Sequence, residues 1–273
     1  MLVRKPVVSG SFYPSNPKTV EKDVDGYLKS AEKQEISGEL VGIISPHAGY
    51  IYSGTVAAYS YNQLAGRSFD LAVVLAPSHR ARFSGASIIP SGIYETPLGG
   101  VEIDSIVGEK LENKPHFDFI EQVHGAEHSL EVQVPFLQRV LGKFKIVPIV
   151  TGSVDIEPCS AMADEIYDCI KDEARKIIVV ISTDLSHYHS YEEAKKLDNI
   201  FINSLTKFDE KGIYDILNDS KAEACGQGPV LTGCFLCKKM GARKVEILKY
   251  ANSGDTAGPR DQVVGYLSAA IVK

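Results

Sequence analysis

With 273 residues, 44% hydrophobic and 23% charged, the chain has enough apolar material to bury a core without disulfide or metal staples. A formal net charge of −6 with no basic run argues against nucleic-acid binding, and no stretch of about 18 apolar residues exists to cross a membrane. Five scattered cysteines do not make a disulfide framework, and Met1–Pro6 lacks the apolar stretch of a secretory signal, so the chain reads as a cytoplasmic protein with free thiols.

Residues 3–14 read as extended. Asn16 caps a helix over 17–33, with Pro17 at its first position and Val20, Val24, Tyr27 and Leu28 on one face. An apolar strand over 41–45 runs out at Pro46 and presents His47 on a loop, and a helix follows over Thr55–Leu64. A second strand, 71–76, ends in Pro77-Ser78-His79 in the same way. Ala86–Pro90 is a short strand, 92–100 a turn-rich excursion, and Asp104 caps a helix to about Leu111. The pattern over Glu127–Leu141 predicts a helix interrupted at Pro135. Phe144–Val150 predicts a strand whose Pro148 suggests an edge or a bulge. Helix Ile156–Ala174 precedes a third apolar strand, 176–183, which leads into Asp184-Leu-Ser-His187, placed at a helix start. Helices over Tyr191–Leu205, Asp209–Leu217 and Val230–Met240, then strands over Lys244–Ala251 and Val263–Val272, complete the chain.

Strands alternating with helices imply an α/β fold: one domain over 1–273, with a largely parallel or mixed central sheet covered by helices on both faces. In such sheets ligands bind outside the carboxyl ends of the strands, which gathers His47, His79, Asp184 and His187 at one edge. A single loop histidine is usually only a hydrogen-bonded polar residue. Two in matching strand-end positions make half of a transition-metal site. Asp184 and His187 suit a carboxylate–imidazole pair for proton transfer, further ligands, or a simple N-cap. Cys225 stands in a Gly-rich loop before a helix N-terminus, a placement that lowers a thiol pKa, whereas Cys159, Cys169, Cys234 and Cys237 read as core packing. Glu127-His128-Ser-Leu-Glu131 is either a solvated face or part of a pocket; Tyr50, His128 and Glu131 are the candidate substrate-pocket residues. His116 and His124 read as surface residues. There is no Gly-x-Ser-x-Gly elbow, phosphate loop, Rossmann fingerprint or His-Glu-x-x-His, so no nucleotide cofactor is expected.

Six segments in order, Val8–Pro14, Ser45–Gly54, Ala76–His79, Glu127–Gln133, Ser182–His187 and Cys225–Pro229, together resemble the Memo family, known in prokaryotes as protein B of the AmmeMemoRadiSam system. The resemblance covers essentially the whole chain. It implies a fold similar to the class III extradiol dioxygenases, which are non-haem iron enzymes. It also implies a metal site of His47, His79 and Cys225, holding iron or copper, with Asp184 and His187 beside it. The relatives among the dioxygenases use a carboxylate where this chain has Cys225. The softer thiolate favours Cu(I), Zn or thiolate-ligated iron and argues against ring cleavage. Three functions follow as expectations: a metal-dependent redox enzyme, a metal-assisted hydrolase, or a non-catalytic scaffold for a small molecule or peptide. The system name implies a functional link to radical-SAM and AmmeCR-type proteins.

Overall fold

The computed structural model describes residues 2–273. Its first part runs β1 (Val3–Arg4), α1 (Pro17–Ser30), β2 (Leu40–Ser45), α2 (Tyr50–Asn62), β3 (Leu71–Pro77) and β4 (Ala86–Ile88). The turn-rich excursion folds as a hairpin, β5 (Gly92–Thr96) and β6 (Gly99–Ile103), and is followed by α3 (Ser105–Glu112), β7 (Phe117–Asp118), α4 (Glu121–Gly125) and α5 (Gln133–Val140). The remainder is β8 (Lys145–Thr151), α6 (Ile156–Ile170), β9 (Ile177–Ser182), β10 (Asp184–His189), α7 (Tyr191–Thr206), α8 (Glu210–Asn218), α9 (Gln227–Lys239), β11 (Lys244–Asn252), α10 (Ser253–Thr256) and β12 (Val263–Val272).

The central strands are parallel in the order β8-β3-β9-β2. The sheet is mixed because β12 runs antiparallel to β2, β10 and β11. β3 shows why these runs become central strands. Leu71, Val73 and Leu75 enter the core on one face; Ala72, Val74 and Ala76 enter the core on the other. A strand buried on both faces needs a continuous apolar run rather than alternation. Each of the leucines and valines among them contributes about 1.5–3 kcal/mol relative to exposure. One core layer joins the sheet to α3, α6, α8 and α9, and the other joins it to α1, α2 and α5.

Three local expectations change. Pro148 is not at an edge: β8 pairs β3 along its whole length, and the proline falls where the other side changes partner, from β6 at Ile146 to β4 at Ile149. That break in the ladder tolerates a residue without an N–H. The helix over 127–141 is confined to α5, with 127–128 irregular and 129–132 in turns. Asp184–His187 is strand rather than helix start, because Asp184 and His187 register with Tyr266 and Val264 of β12, with bulges between them. Among the described residues no helix is long and apolar enough to cross a membrane.

Candidate metal centre

The carboxyl ends of β2 and β3 deliver His47 and His79 to one edge, and the irregular stretch after Gly125 brings His128 against them. The ring centroids are 5.1 Å apart for His47 and His79, 4.5 Å for His79 and His128, and 5.6 Å for His47 and His128. One nitrogen of each ring lies within 4.8 Å of the others, a separation that a single metal ion could bridge.

The neighbours of each ring decide which nitrogen carries its proton. Ser182 Oγ donates its one proton to Ser129 O at 2.8 Å and accepts from Gln133 Nε2 at 2.9 Å. Its 2.8 Å contact with His47 Nδ1 must therefore be an N–H donated by the ring, which leaves Nε2 as a lone pair. Glu127 Oε1 accepts from His79 Nδ1 at 2.9 Å, so His79 likewise offers Nε2. Burial alone would raise the Glu127 carboxyl, but donation from the His79 side chain and backbone N–H, and from Ser129 N–H, brings it down to about 2. This carboxylate–imidazole pairing is the arrangement that orients metal-bound histidines. The buried Nδ1 of His128 lies 3.3 Å from Glu127 Oε1 and has no aligned hydrogen-bond partner among the described residues. Burial, then the neighbouring His79 ring, pushes His128 down to about 4. Burial also holds His47 well below the usual imidazole range, reinforced by His79, His128 and His187. Nε2 atoms of His47 and His79 left open by their Nδ1 partners, beside a His128 nitrogen with no aligned partner, fit a transition metal.

Cys225 Sγ is 3.0 Å from His47 Nε2 and accepts from Asp184 N–H at 3.2 Å. Its loop packs tightly. A methyl group at Gly226 would lie 2.5 Å from Ser182 O, and one at Gly228 would lie 2.3 Å from Ser153 O, so glycine at both positions lets the loop lie against β9 and the end of β8. The expectation that the helix N-terminus lowers this thiol is not met. Burial pushes it up, and the Asp184 carboxylate pushes it further. Without a metal it is a thiol that donates to His47.

Asp184 and His187 come to the same edge. Asp184 Oδ1 accepts the His47 backbone N–H at 2.7 Å, and burial raises its carboxyl to about 7. His187 Nδ1 donates to Leu185 O at 2.7 Å, so its Nε2 is free, and burial keeps the ring below the usual imidazole range. Tyr50 is buried and donates to Val132 O at 2.7 Å, and its ring packs on Tyr13 and Phe136. Glu131 is taken up by the N-terminal segment. It binds the Arg4 guanidinium and accepts from Val7 N–H, Val8 N–H and Tyr13 Oη, and so anchors the N-terminal segment. His124 is buried rather than on the surface, against Ser87 Oγ. Glu127, Ser182 and Gln133 orient the site, and the sequence reading assigned none of them that task. Their presence in the polar stretches Glu127–Gln133 and Ser182–His187, between otherwise apolar residues, was the available signal.

The fold and the cluster together define an α/β protein with a three-histidine centre, able to hold a metal, at the carboxyl edge of its sheet, with His47 buried, His128 half-buried and His79 exposed. Comparison supplies the family. The family model described as Memo-like protein matches residues 4–270. A MEMO1 family protein of Saccharolobus solfataricus is 41% identical, with 97% of this chain and 98% of that protein aligned. Another from Pyrobaculum aerophilum is 36% identical, with 98% of each chain aligned. The chain belongs to the Memo-like family.

Proposed function

We propose that the protein is a metal-dependent redox protein in which His47, His79 and Cys225 hold iron or copper, with His128 at the same centre and Asp184 and His187 moving protons beside it. The carrying observation is the convergence of His47, His79 and His128, whose neighbours leave Nε2 of His47 and His79 free. A bound iron or copper would supply one-electron redox chemistry. Ser182 and Glu127 fix the rings of His47 and His79. Cys225 gives its proton up on ligation and offers a soft thiolate. His187, neutral with Nε2 free, accepts a proton, and Asp184, titrating near neutrality, can hold or release one. The ligand is an unidentified small molecule or peptide. The resemblance supports a link to radical-SAM and AmmeCR-type proteins.

Metal analysis of protein purified without air tests this reading. Wild type should carry about one equivalent of iron or copper, and His47→Ala and Cys225→Ala should lose most of it; equal metal in all three overturns the assignment. The Asp184–His187 pair also suits metal-assisted hydrolysis. That second reading predicts turnover of an ester or amide with redox-inert zinc and no oxygen consumption.

A further inference from the structure

The end of the sheet opposite the histidines carries a cleft of about 880 Å³, within the range of small-molecule sites. It opens where β2, β3 and β9 begin. Leu40, Ile170 and Ile177 contribute apolar surface, and the half-buried Phe69, Tyr167 and Met240 add to its lining.

Six cations and two carboxylates, Glu39 and Glu173, line the rest, and most of the cations are already partnered. Lys171 and Lys239 sit at the carboxyl ends of α6 and α9, where they offset the helix dipole and pair with Asp168 and Asp164. Arg175 pairs with Asp104 and Glu173, and Lys273 with Glu39. Arg67 and Lys176 are different: both line the cleft, and neither has a carboxylate partner among the described residues. Their loops are tied to each other. Asp70 N–H donates to Lys176 O, and Lys176 N–H donates to Asp70 Oδ2, both at 2.8 Å. Two unpaired cations are thus held on linked backbone beside an aromatic and aliphatic surface, in a chain whose net charge is −6.

We infer that this cleft binds an organic phosphate of mononucleotide size, its phosphate between Arg67 and Lys176 and its apolar body against Phe69 and Tyr167. The chain has no phosphate loop or Rossmann glycines, so recognition rests on side-chain cations and apolar contact. This site is separate from the histidine centre and does not depend on the chemistry proposed there.

Calorimetric titration of the full chain with AMP and with inorganic phosphate tests it. Wild type should bind AMP saturably at one site and inorganic phosphate more weakly, since phosphate lacks the apolar body. Arg67→Glu/Lys176→Glu should weaken AMP by at least about tenfold. The milder Arg67→Gln, at an exposed side chain, should weaken it several-fold with an unchanged melting temperature, so lost binding cannot be ascribed to misfolding. His47→Ala should bind AMP as wild type does. The inference is overturned if AMP does not saturate at millimolar concentration, if the Arg67 and Lys176 variants bind like wild type, if inorganic phosphate binds as tightly as AMP, or if His47→Ala abolishes binding.

Discussion

Glu127 and Glu131 stand four residues apart in one irregular stretch, both buried, and they do opposite work. Glu131 is satisfied on every side: Arg4, Tyr13 and two backbone N–H groups converge on it from the N-terminal segment. Glu127 is equally well bonded, but its partners are not closed off. It accepts the hydrogen bond of His79 Nδ1–H, leaving Nε2 open, and it lies beside a His128 nitrogen with no aligned partner. A polar cluster that satisfies all its members serves the fold. One that spends a carboxylate on orienting an open lone pair is prepared for something to arrive.

The largest effect expected from this contrast is on stability. Arg4→Ala would leave Glu131 buried without its cation and should cost about 3–5 kcal/mol in denaturant unfolding, while the protein that remains folded keeps its metal. A cost below about 1 kcal/mol would show that the cluster does not anchor the segment. Next comes the converse. Glu127→Gln keeps the shape but removes the charge behind His79, and should lower metal affinity by about 10–100-fold in a competition titration with a chelator. Unaltered affinity would make Glu127 a second structural carboxylate and erase the distinction. The smallest effect is on pH. His124 and His128 are held near 3 and 4 in the fold, against 6.5 for the free side chain, so the unfolded chain takes up those protons first as pH falls. Stability should therefore drop as pH goes from about 6.5 toward 4. His47 and His187, also held below the usual imidazole range, add to the fall, and Asp184, raised to about 7, offsets only part of it, so the protein is less stable at pH 5 than at pH 7. Melting of the metal-free protein at pH 7 and pH 5 measures it, and His124→Gln should blunt the fall. A melting temperature at pH 5 equal to or above that at pH 7 would refute the sign.

The strand ends were legible because two apolar runs stop at a proline and present a histidine shortly after, a purely local pattern. The Asp184–His187 stretch was not: three-residue spacing suits a helix face, and only pairing with β12, some 80 residues further on, makes it a strand. Glu131 could not be separated from Glu127 for the same reason, since its guanidinium lies 127 residues away at Arg4. Cys225 was found by its glycines, yet its protonation was misjudged, because a local helix dipole is visible in sequence whereas burial and the nearby Asp184 are not. His128 stood in plain view without its partners.

β10 pairs with the sheet through β12 alone, and the same edge of β12 continues along β2. The near end of β10 is held to β2 directly, by the pairing of Ser182 with Ser45 and by the His47 N–H bonded to Asp184 Oδ1, so only the His187 end takes its register from β12. A slip of β12 by one step should therefore displace His187 from His47 while Asp184 stays in place, which makes the strand an adjustable rail for one of the two groups and not for the other.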